Sequence, residues 1–268
     1  MQDLHSRLVP RHPYRWWAWL VVSQLLVAWL WWRFGWRVGL PCMVASHVPF
    51  WWGVLMPRSQ LYSPCLARLP TQERVVWLTI DDGPSTETMA MLDLLDVHAA
   101  KATFFVVGDR AAAHPELIRE IVRRGHGIGN HSASHPAAMF WALGAARMRA
   151  EITRCQDILR SITGTAPIWF RAVVGMANPF VAAPLRDLDL ARVAWSARGY
   201  DGVAGDVAGV VARVERDLEP GAIVLLHEGA THGHNIDILR GVLAKLDAAG
   251  LRAVLPEQVA GISPDGAR

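Results

Sequence analysis

The chain has 268 residues, a formal net charge of +3 at pH 7, 52% hydrophobic residues and 19% charged ones. That length suits one domain of about 200–250 residues with an appendage, and the apolar fraction excludes an intrinsically disordered chain. Acidic residues interleave with the arginines, Lys101 and Lys245 are the only lysines, and no basic stripe carries interleaved aromatics, so no nucleic-acid partner is expected. Cys42, Cys65 and Cys155 are odd in number and far apart, which gives neither a disulfide framework nor a CxxC metal knuckle.

The front of the chain is unlike the rest. Nine of the 13 tryptophans lie between Trp16 and Trp52. Residues 16–32 form an uncharged run of 17, which as a helix would be about 26 Å long, near the hydrocarbon thickness of a bilayer. Trp16, Trp17 and Trp19 mark one end of it and Trp29, Trp31 and Trp32 the other, as interfacial belts do. Residues 38–56 form a second uncharged run, interrupted by Pro41, Pro49 and Gly53, which membrane helices tolerate. Arg7, Arg11 and Arg15 resemble the charged start of a signal peptide, but the first run is long and no small-x-small cleavage site follows it. The expectation is a membrane anchor over 1–56, with spans at 16–32 and 38–56, rather than a signal peptide or a buried soluble hairpin. With two spans, Arg7, Arg11, Arg15, Arg58 and Arg68 share one side against Arg33 and Arg37 in the turn. The positive-inside rule then puts the following domain on the cytoplasmic side of a bacterial inner membrane; a single span would put it outside. Residues 57–73, with Pro57, Pro64 and Pro70, read as a linker.

From 74 to 268 apolar runs alternate with helical patterns. Strands are expected at 74–80, 102–107, 126–130, 167–171, 192–196, 222–227 and 251–255, and helices near 86–99, 115–124, 140–163, 180–190, 206–219 and 235–249. Pro115 and Pro136 suit helix starts, and Gly125, Gly164, Gly221 and Gly250 fall where helices end. The alternation argues an α/β fold, a parallel sheet covered by helices; seven strands fit a barrel better than a single Rossmann unit, and no GxGxxG follows a strand.

Unusual polar residues sit where these strands end: Asp81 and Asp82, His131, Arg171 and His227, with Asp201 after the fifth strand. In an α/β barrel the strand C-termini converge on one face. Adjacent strand residues point opposite ways, so one carboxylate of Asp81-Asp82 can bind a metal while the other faces substrate; the bland reading is a polar Asp-Asp-Gly-Pro turn. His131 and His135, four apart, can share one face of a helical turn and with a carboxylate form a two-His, one-carboxylate set with open positions. Arg171 can hold Asp81 ionised or form a structural ion pair, and Asp201 can raise the pKa of His227 or leave it an ordinary core histidine. Glu228, His232 and His234 form a weaker candidate for a second metal site; His98 and His126 read as structural, and Cys155 lacks a partner for nucleophilic work.

Five segments in order resemble the motifs of the polysaccharide deacetylases, the NodB-like carbohydrate esterase family 4. They are Thr79–Pro84 (TIDDGP), Gly125–His135 (GHGIGNHSASH), Arg171 with Gly175, Trp195-Ser196 with Asp201, and Leu225–His227 (LLH). The resemblance spans about 75–255 and implies a distorted (β/α) barrel. It further implies a divalent metal ion, zinc first and cobalt or nickel as alternatives, on Asp82, His131 and His135. By the same carry-over Asp81 is the general base, His227 the general acid, Arg171 the residue that orients Asp81 and Asp201 the one that tunes His227, with a backbone N–H near Val174 for the oxyanion. The implied reaction is hydrolysis of the N-acyl, by default N-acetyl, amide of a carbohydrate. Some relatives deacylate sugars carried on polyprenyl phosphate, so an anchored chain suggests a glycolipid substrate. The chain departs from the pattern at Ala172-Val173-Val174, at Gly202 and at Arg198, which changes the pocket wall and argues against assuming chitin or peptidoglycan. A non-catalytic carbohydrate-binding protein, a deformylase of a lipid-linked amino sugar and, less so, a glycosidase are the rivals. Sugar, acyl group and oligomeric state are not legible in the sequence.

Overall fold

A computed structural model describes residues 4–259. A short helix α1 (Leu4–Leu8) precedes two long ones, α2 (Arg15–Phe34) and α3 (Trp36–Leu55). The domain then runs β1 (Val75–Gly83), α4 (Thr88–Val97), β2 (Ala102–Val106), α5 (Gly108–Ala113), α6 (Pro115–Arg123), β3 (Gly127–Asn130), α7 (Ala145–Thr163), β4 (Trp169–Phe170) and α8 (Ala182–Asp187). It finishes with β5 (Ala191–Arg192), β6 (Ala197–Arg198), α9 (Val207–Arg216), β7 (Ile223–His227), α10 (Asn235–Ala249) and β8 (Arg252–Ala253).

The strands lie parallel in the order β5-β4-β3-β2-β1-β7-β6, with β8 beside the start of β1. The alternation of strand residues decides which faces meet. On β1, Val76, Leu78 and Ile80 face the helices, in one cluster with Leu95 of α4 and Leu239 and Leu243 of α10. Val75 and Trp77 face the other way, into a second cluster with Phe105, Trp169, Val193 and Leu225. This second cluster fills the curled interior: seven parallel strands form a half-barrel, in keeping with the expected distorted (β/α) barrel.

The strand expected at 192–196 divides, because β5 and β6 lie on opposite edges of the sheet. Residues 193–196 cross the seam between them: Val193 N–H donates to Phe170 O at 2.8 Å, Ala194 N–H to Leu66 O at 2.8 Å and Ser196 N–H to Ile223 O at 2.9 Å. Residues 57–73, expected as a linker, help close that seam. Leu66 bridges Val193, Arg68 bridges Ala222, and Leu69 is buried. Arg192 donates to the carbonyls of Pro57 at 3.3 Å and Ser63 at 3.0 Å, which pins the segment. Pro136 does not start a helix. Its carbonyl accepts from Met139 and Phe140, opening a turn into a 3-10 segment, Phe140–Ala142, and α7 begins only at Ala145.

Glycines on β3 make room for the interior. A Cβ at Gly129 would lie 2.5 Å from the Phe105 ring, and one at Gly127 would lie 2.7 Å from Thr103 Oγ1. Replacing Gly129 by Ala is expected to cost about 1–3 kcal/mol through overpacking, read as a lowered thermal midpoint; an unchanged midpoint would contradict this packing.

The two long helices fold back on each other around Gly35, whose φ of +78° a glycine adopts without strain. Trp31 lies over Gly39, and Gln24 Nε2 donates to Ser46 Oγ at 3.1 Å across the pair. Away from the domain the hairpin is bare: Trp32 is 82% and Leu25 66% exposed. By length and composition α3 is the one described helix suited to cross a membrane, with a mean hydropathy of 1.3 over its apolar window. The first predicted span lies within α2, which falls short of the same measure among the described residues. The open end of the hairpin docks on the domain through Trp16 and Val54, in one cluster with Tyr62 of the following segment and with Phe140, Phe170 and Val173. The α1 helix sits on the same domain, where His5 Nε2 bonds to the Asp189 carbonyl at 3.1 Å.

Candidate active site

Strand alternation aims the site. On β1 the inward set is Trp77, Thr79 and Asp81; on β3 it is Gly127 and Gly129, followed by His131. Trp169 of β4 faces inward and Arg171 follows two residues on; β7 contributes Leu225 and then His227, which lies opposite Asp81 in the sheet. Asp81, His131, Arg171 and His227 thus share the C-terminal end of the interior. Arg171 is fully buried and His131 and Asp81 nearly so, and Asp81, His131 and His227 line one cleft.

Alternation alone would turn Asp82 toward the helices. A bulge prevents it: Asp81 pairs with Phe105 and Gly83 with Val106, which leaves Asp82 unpaired at φ +70°. Both carboxylates therefore reach the cleft, a correction to the expectation that adjacent residues would point opposite ways. His131 and His135 do not share a helical turn either. The intervening loop is irregular, with Ser132 at φ +69° and His135 at φ +52°, and it brings the ring centroids to 5.0 Å. Three left-handed non-glycine residues at one site cost of order 1–3 kcal/mol each, the kind of strain that clusters at functional sites.

The ligating atoms of Asp82, His131 and His135 lie within 4.8 Å of one another. Asp82 Oδ1 stands 3.4 Å from His131 Nε2 and 3.0 Å from His135 Nε2, yet it is buried without a well-formed hydrogen bond. The donors suit a divalent cation, which takes neutral imidazole and carboxylate together. Burial opposes the charged form of Asp82, but both imidazoles outweigh it and hold its pKa well below the usual carboxylate range. Burial likewise opposes charge on His131, and Asp81 and Asp82 overcome it and raise its pKa. Cation binding must displace a proton there, so metal affinity is expected to fall as pH drops; an affinity flat from pH 8 to 5 would contradict this set. His131 Nδ1 lies 2.8 Å from the Arg171 carbonyl, a contact that fixes Nε2 as the free, ligating nitrogen. Below the loop, Glu151 of α7 accepts from Ser134 N–H and Ser134 Oγ, both at 2.8 Å.

Arg171 serves the site twice. Its carbonyl orients His131, and its Nη1 donates to Asp81 Oδ1 and Thr79 Oγ1, each at 2.7 Å. Its Nη2 donates to Ala194 O at 3.0 Å, and the guanidinium carbon lies 4.2 Å from the centre of the Phe105 ring. Asp81 Oδ2 is left toward the cleft, 3.8 Å from His131 Nε2. On the opposite wall Asp201 Oδ2 accepts from His227 N–H at 2.6 Å and Oδ1 lies 3.0 Å from His227 Nδ1. Burial alone would push His227 down, but Asp201, with Asp81 and Asp82 behind it, raises its pKa to about 9. Val174 stands at φ +55° on the rim, and its N–H carries no hydrogen bond to a described residue. Trp195, Arg198 and Tyr200 complete the wall, with the Arg198 guanidinium 3.9 Å from the Tyr200 ring centre.

The weaker candidates lie elsewhere. Glu228 is buried and accepts from Ser85 and Thr88 at the start of α4, and His232 Nε2 bonds to the Asp201 carbonyl at 2.6 Å, so with His234 they form no ligand set among the described residues. His98 pairs with Asp247 at 2.7 Å, His126 is buried against the Phe104 ring, and Cys155 is buried on the inner face of α7 with its thiol pushed up to about 12 by burial. Thr79 and Glu151 were not singled out. The period-two pattern through Asp81 marks the first, and a lone acid on the apolar Met148–Ile152–Cys155 face of α7 marks the second.

Residues 68–193 match the polysaccharide deacetylase family. A chitooligosaccharide deacetylase of Bradyrhizobium is 38% identical over 162 residues, 60% of this chain and 73% of that protein. A peptidoglycan-N-acetylglucosamine deacetylase of Bacillus cereus is 33% identical over 193 residues, 69% of this chain and 68% of that protein. Among solved structures, a family 4 carbohydrate esterase from Streptomyces lividans in complex with acetate superimposes with a TM-score of 0.63 at 30% identity, covering 69% of this chain and 94% of that one.

Proposed function

The chain belongs to the polysaccharide deacetylase family and is a hydrolase of carbon–nitrogen bonds, and from that premise we propose that it removes the N-acetyl group of an amino sugar at a membrane surface. The observation that carries the reading is the meeting of a base, an acid and a three-ligand cation site at one cleft, from strands up to 146 positions apart.

Asp82, His131 and His135 would hold a divalent ion, zinc by donor type, which when bound acts as a Lewis acid on the amide carbonyl and the attacking water. The protein's own residues supply the rest. Arg171 fixes one oxygen of Asp81, so the other takes the proton of the water that adds to the amide carbon. The Val174 N–H, on the cleft rim, would donate a hydrogen bond to the former carbonyl oxygen as it gains charge. Asp201 occupies His227 Nδ1, which leaves Nε2–H to donate a proton to the departing nitrogen as the C–N bond breaks. Acetate and a free amine result.

The test is release of acetate or formate from N-acyl hexosamines by the metal-loaded full-length protein. Acetate supports the reading, formate would make the protein a deformylase, and neither, from folded protein, would leave a non-catalytic binding role.

The protonated form of His227 is the active one, so activity falls as pH rises through its pKa. Asp201→Asn removes the largest upward influence and is expected to move the alkaline limb of the kcat/KM profile to lower pH, measured between pH 6 and 10. An unmoved limb would separate His227 from the acid role. A bound cation lowers the same pKa, so the native limb lies at or below about 9.

The hairpin, bare and tryptophan-rich, would enter the bilayer. With both flanks on one side, the arginine balance supports the cytoplasm as that side. Reporter fusions at the C-terminus that report only outside the cytoplasm would reverse this orientation.

A further inference from the structure

The domain meets the hairpin along an apolar groove. Leu20, Phe50 and Trp51 stand on its hairpin wall, and Trp141, Leu143 and Phe180 on its domain wall. The contacts are aromatic: the Trp51 and Trp141 ring centres lie 6.0 Å apart, and those of Trp16 and Phe180 6.1 Å apart. Leu20 of α2 and Phe50 of α3 stand at one level of the hairpin, since Gln24 bonds Ser46 about one turn further out on each helix. The domain packs against the hairpin up to that level.

Length then decides how the domain sits. Beyond Leu20 and Phe50 each helix has about 21 Å left before the turn at Gly35. The hydrocarbon core of a bilayer is about 30 Å thick. The hairpin therefore cannot cross it while the domain stands clear of the lipid; the face of the domain beside the groove has to enter as well.

The composition of that face agrees. The residues lining the domain wall belong to two stretches, 136–146 and 172–185, neither of which holds an Asp, Glu, Lys, Arg or His. Met139 is 56% and Phe180 37% exposed, and Ala142 is exposed on the groove. Polar groups here are satisfied from within: Asn178 Nδ2 donates to Leu143 O at 2.7 Å and Trp141 O at 3.2 Å, and Trp141 Nε1 donates to Ala138 O at 3.0 Å. The wall thus asks nothing of water, which is the requirement for contact with lipid chains. The groove also runs into the bare part of the hairpin: His47 lines it, and Val44, one turn along the same side of α3, is exposed.

We infer that the catalytic domain has a membrane contact of its own, in which the face built from 136–146 and 172–185 seats in the interfacial layer of the bilayer and lipid acyl chains fill the groove against α2 and α3. The inference rests on the reading that the hairpin enters the bilayer. The second stretch also holds Val174 on the rim of the catalytic cleft, so the mouth of the site lies beside the same surface.

The test uses full-length protein in vesicles of phosphatidylcholine and phosphatidylglycerol. Cys42 is replaced by serine, and Cys65 and Cys155 are buried. Ala142→Cys, Phe180→Cys, Leu25→Cys and Val97→Cys are then labelled one at a time with the fluorophore NBD. Leu25 reports the hairpin, and Val97, 80% exposed at the end of α4, reports the helix layer of the domain. Lipids carrying a nitroxide near the headgroup end of the acyl chain quench labels at that depth. Quenching of about twofold or more is expected at 142 and 180, because an apolar face seats about 5–10 Å into the boundary of headgroups and acyl chains, and none at 97. Quenching at 25 with none at 142 and 180 would overturn the inference and leave the hairpin reading standing. No quenching at 25 would overturn the hairpin reading, and the domain contact falls with it only if 142 and 180 are silent too. Labels at 142 and 180 shielded from water but not quenched by lipid, in a protein that light scattering shows to be dimeric, would give the face to a second copy of the chain and also overturn the inference.

Discussion

Asp81→Asn is expected to lower kcat/KM for N-deacetylation by about 10²–10⁴, the usual contribution of a general base, while the protein keeps its metal. The asparagine is isosteric and still accepts from Arg171 through its amide oxygen, but it takes no proton. The ligand atoms of Asp82, His131 and His135 are untouched, so metal content measured by elemental analysis stays at the wild-type level. Retained activity would remove Asp81 from the base role. Loss of metal with activity would show that Asp81 acts through the ion site, which its 3.8 Å separation from His131 Nε2 makes worth measuring.

The second large effect belongs to Arg171→Met. The side chain is fully buried, and its guanidinium bonds Asp81, Thr79 and the Ala194 carbonyl at the seam between β5 and β6. Removing it strands the Asp81 carboxylate without its cation, which typically costs about 3–5 kcal/mol. For a domain of this size a loss of 1 kcal/mol lowers the thermal midpoint by roughly 2–4 °C. The midpoint should fall accordingly, and the remaining folded protein should lose activity because Asp81 loses the hydrogen bond that orients it. The double variant Asp81→Asn with Arg171→Met should recover part of the stability and none of the activity. Equal stability of the single and double variants would show that Arg171 acts through packing on Phe105 and Trp195 rather than through the ion pair.

The convergence of Asp81, His131, Arg171 and His227 was legible because Asp81, Arg171 and His227 each end an apolar run and His131 follows the glycine-rich stretch between two helical patterns, an alternation that leaves little choice but a parallel sheet. The two local departures that finish the site were not. The bulge at Asp82 and the left-handed turn at His135 are backbone states that these residue types seldom adopt, and only the surrounding packing enforces them. The seam was hidden for a related reason. Residues 192–196 read as one strand by composition, but they span two sheet edges, and Leu66 and Leu69, which fill the gap, sit in a proline-marked stretch that reads as a connector. The pairing of Arg192 with backbone carbonyls of 57–63 has no sequence signature at all.

The most direct measurement is the metal stoichiometry of the full-length protein, beside Asp82→Ala and His131→Ala variants shown by circular dichroism to be folded. One zinc-like ion per chain in the wild type, lost in both variants together with acetate release, is the expected result. A folded wild type that takes up no ion from zinc or cobalt solution, or a variant that keeps the ion, would contradict the assignment of Asp82, His131 and His135 as the catalytic cation site.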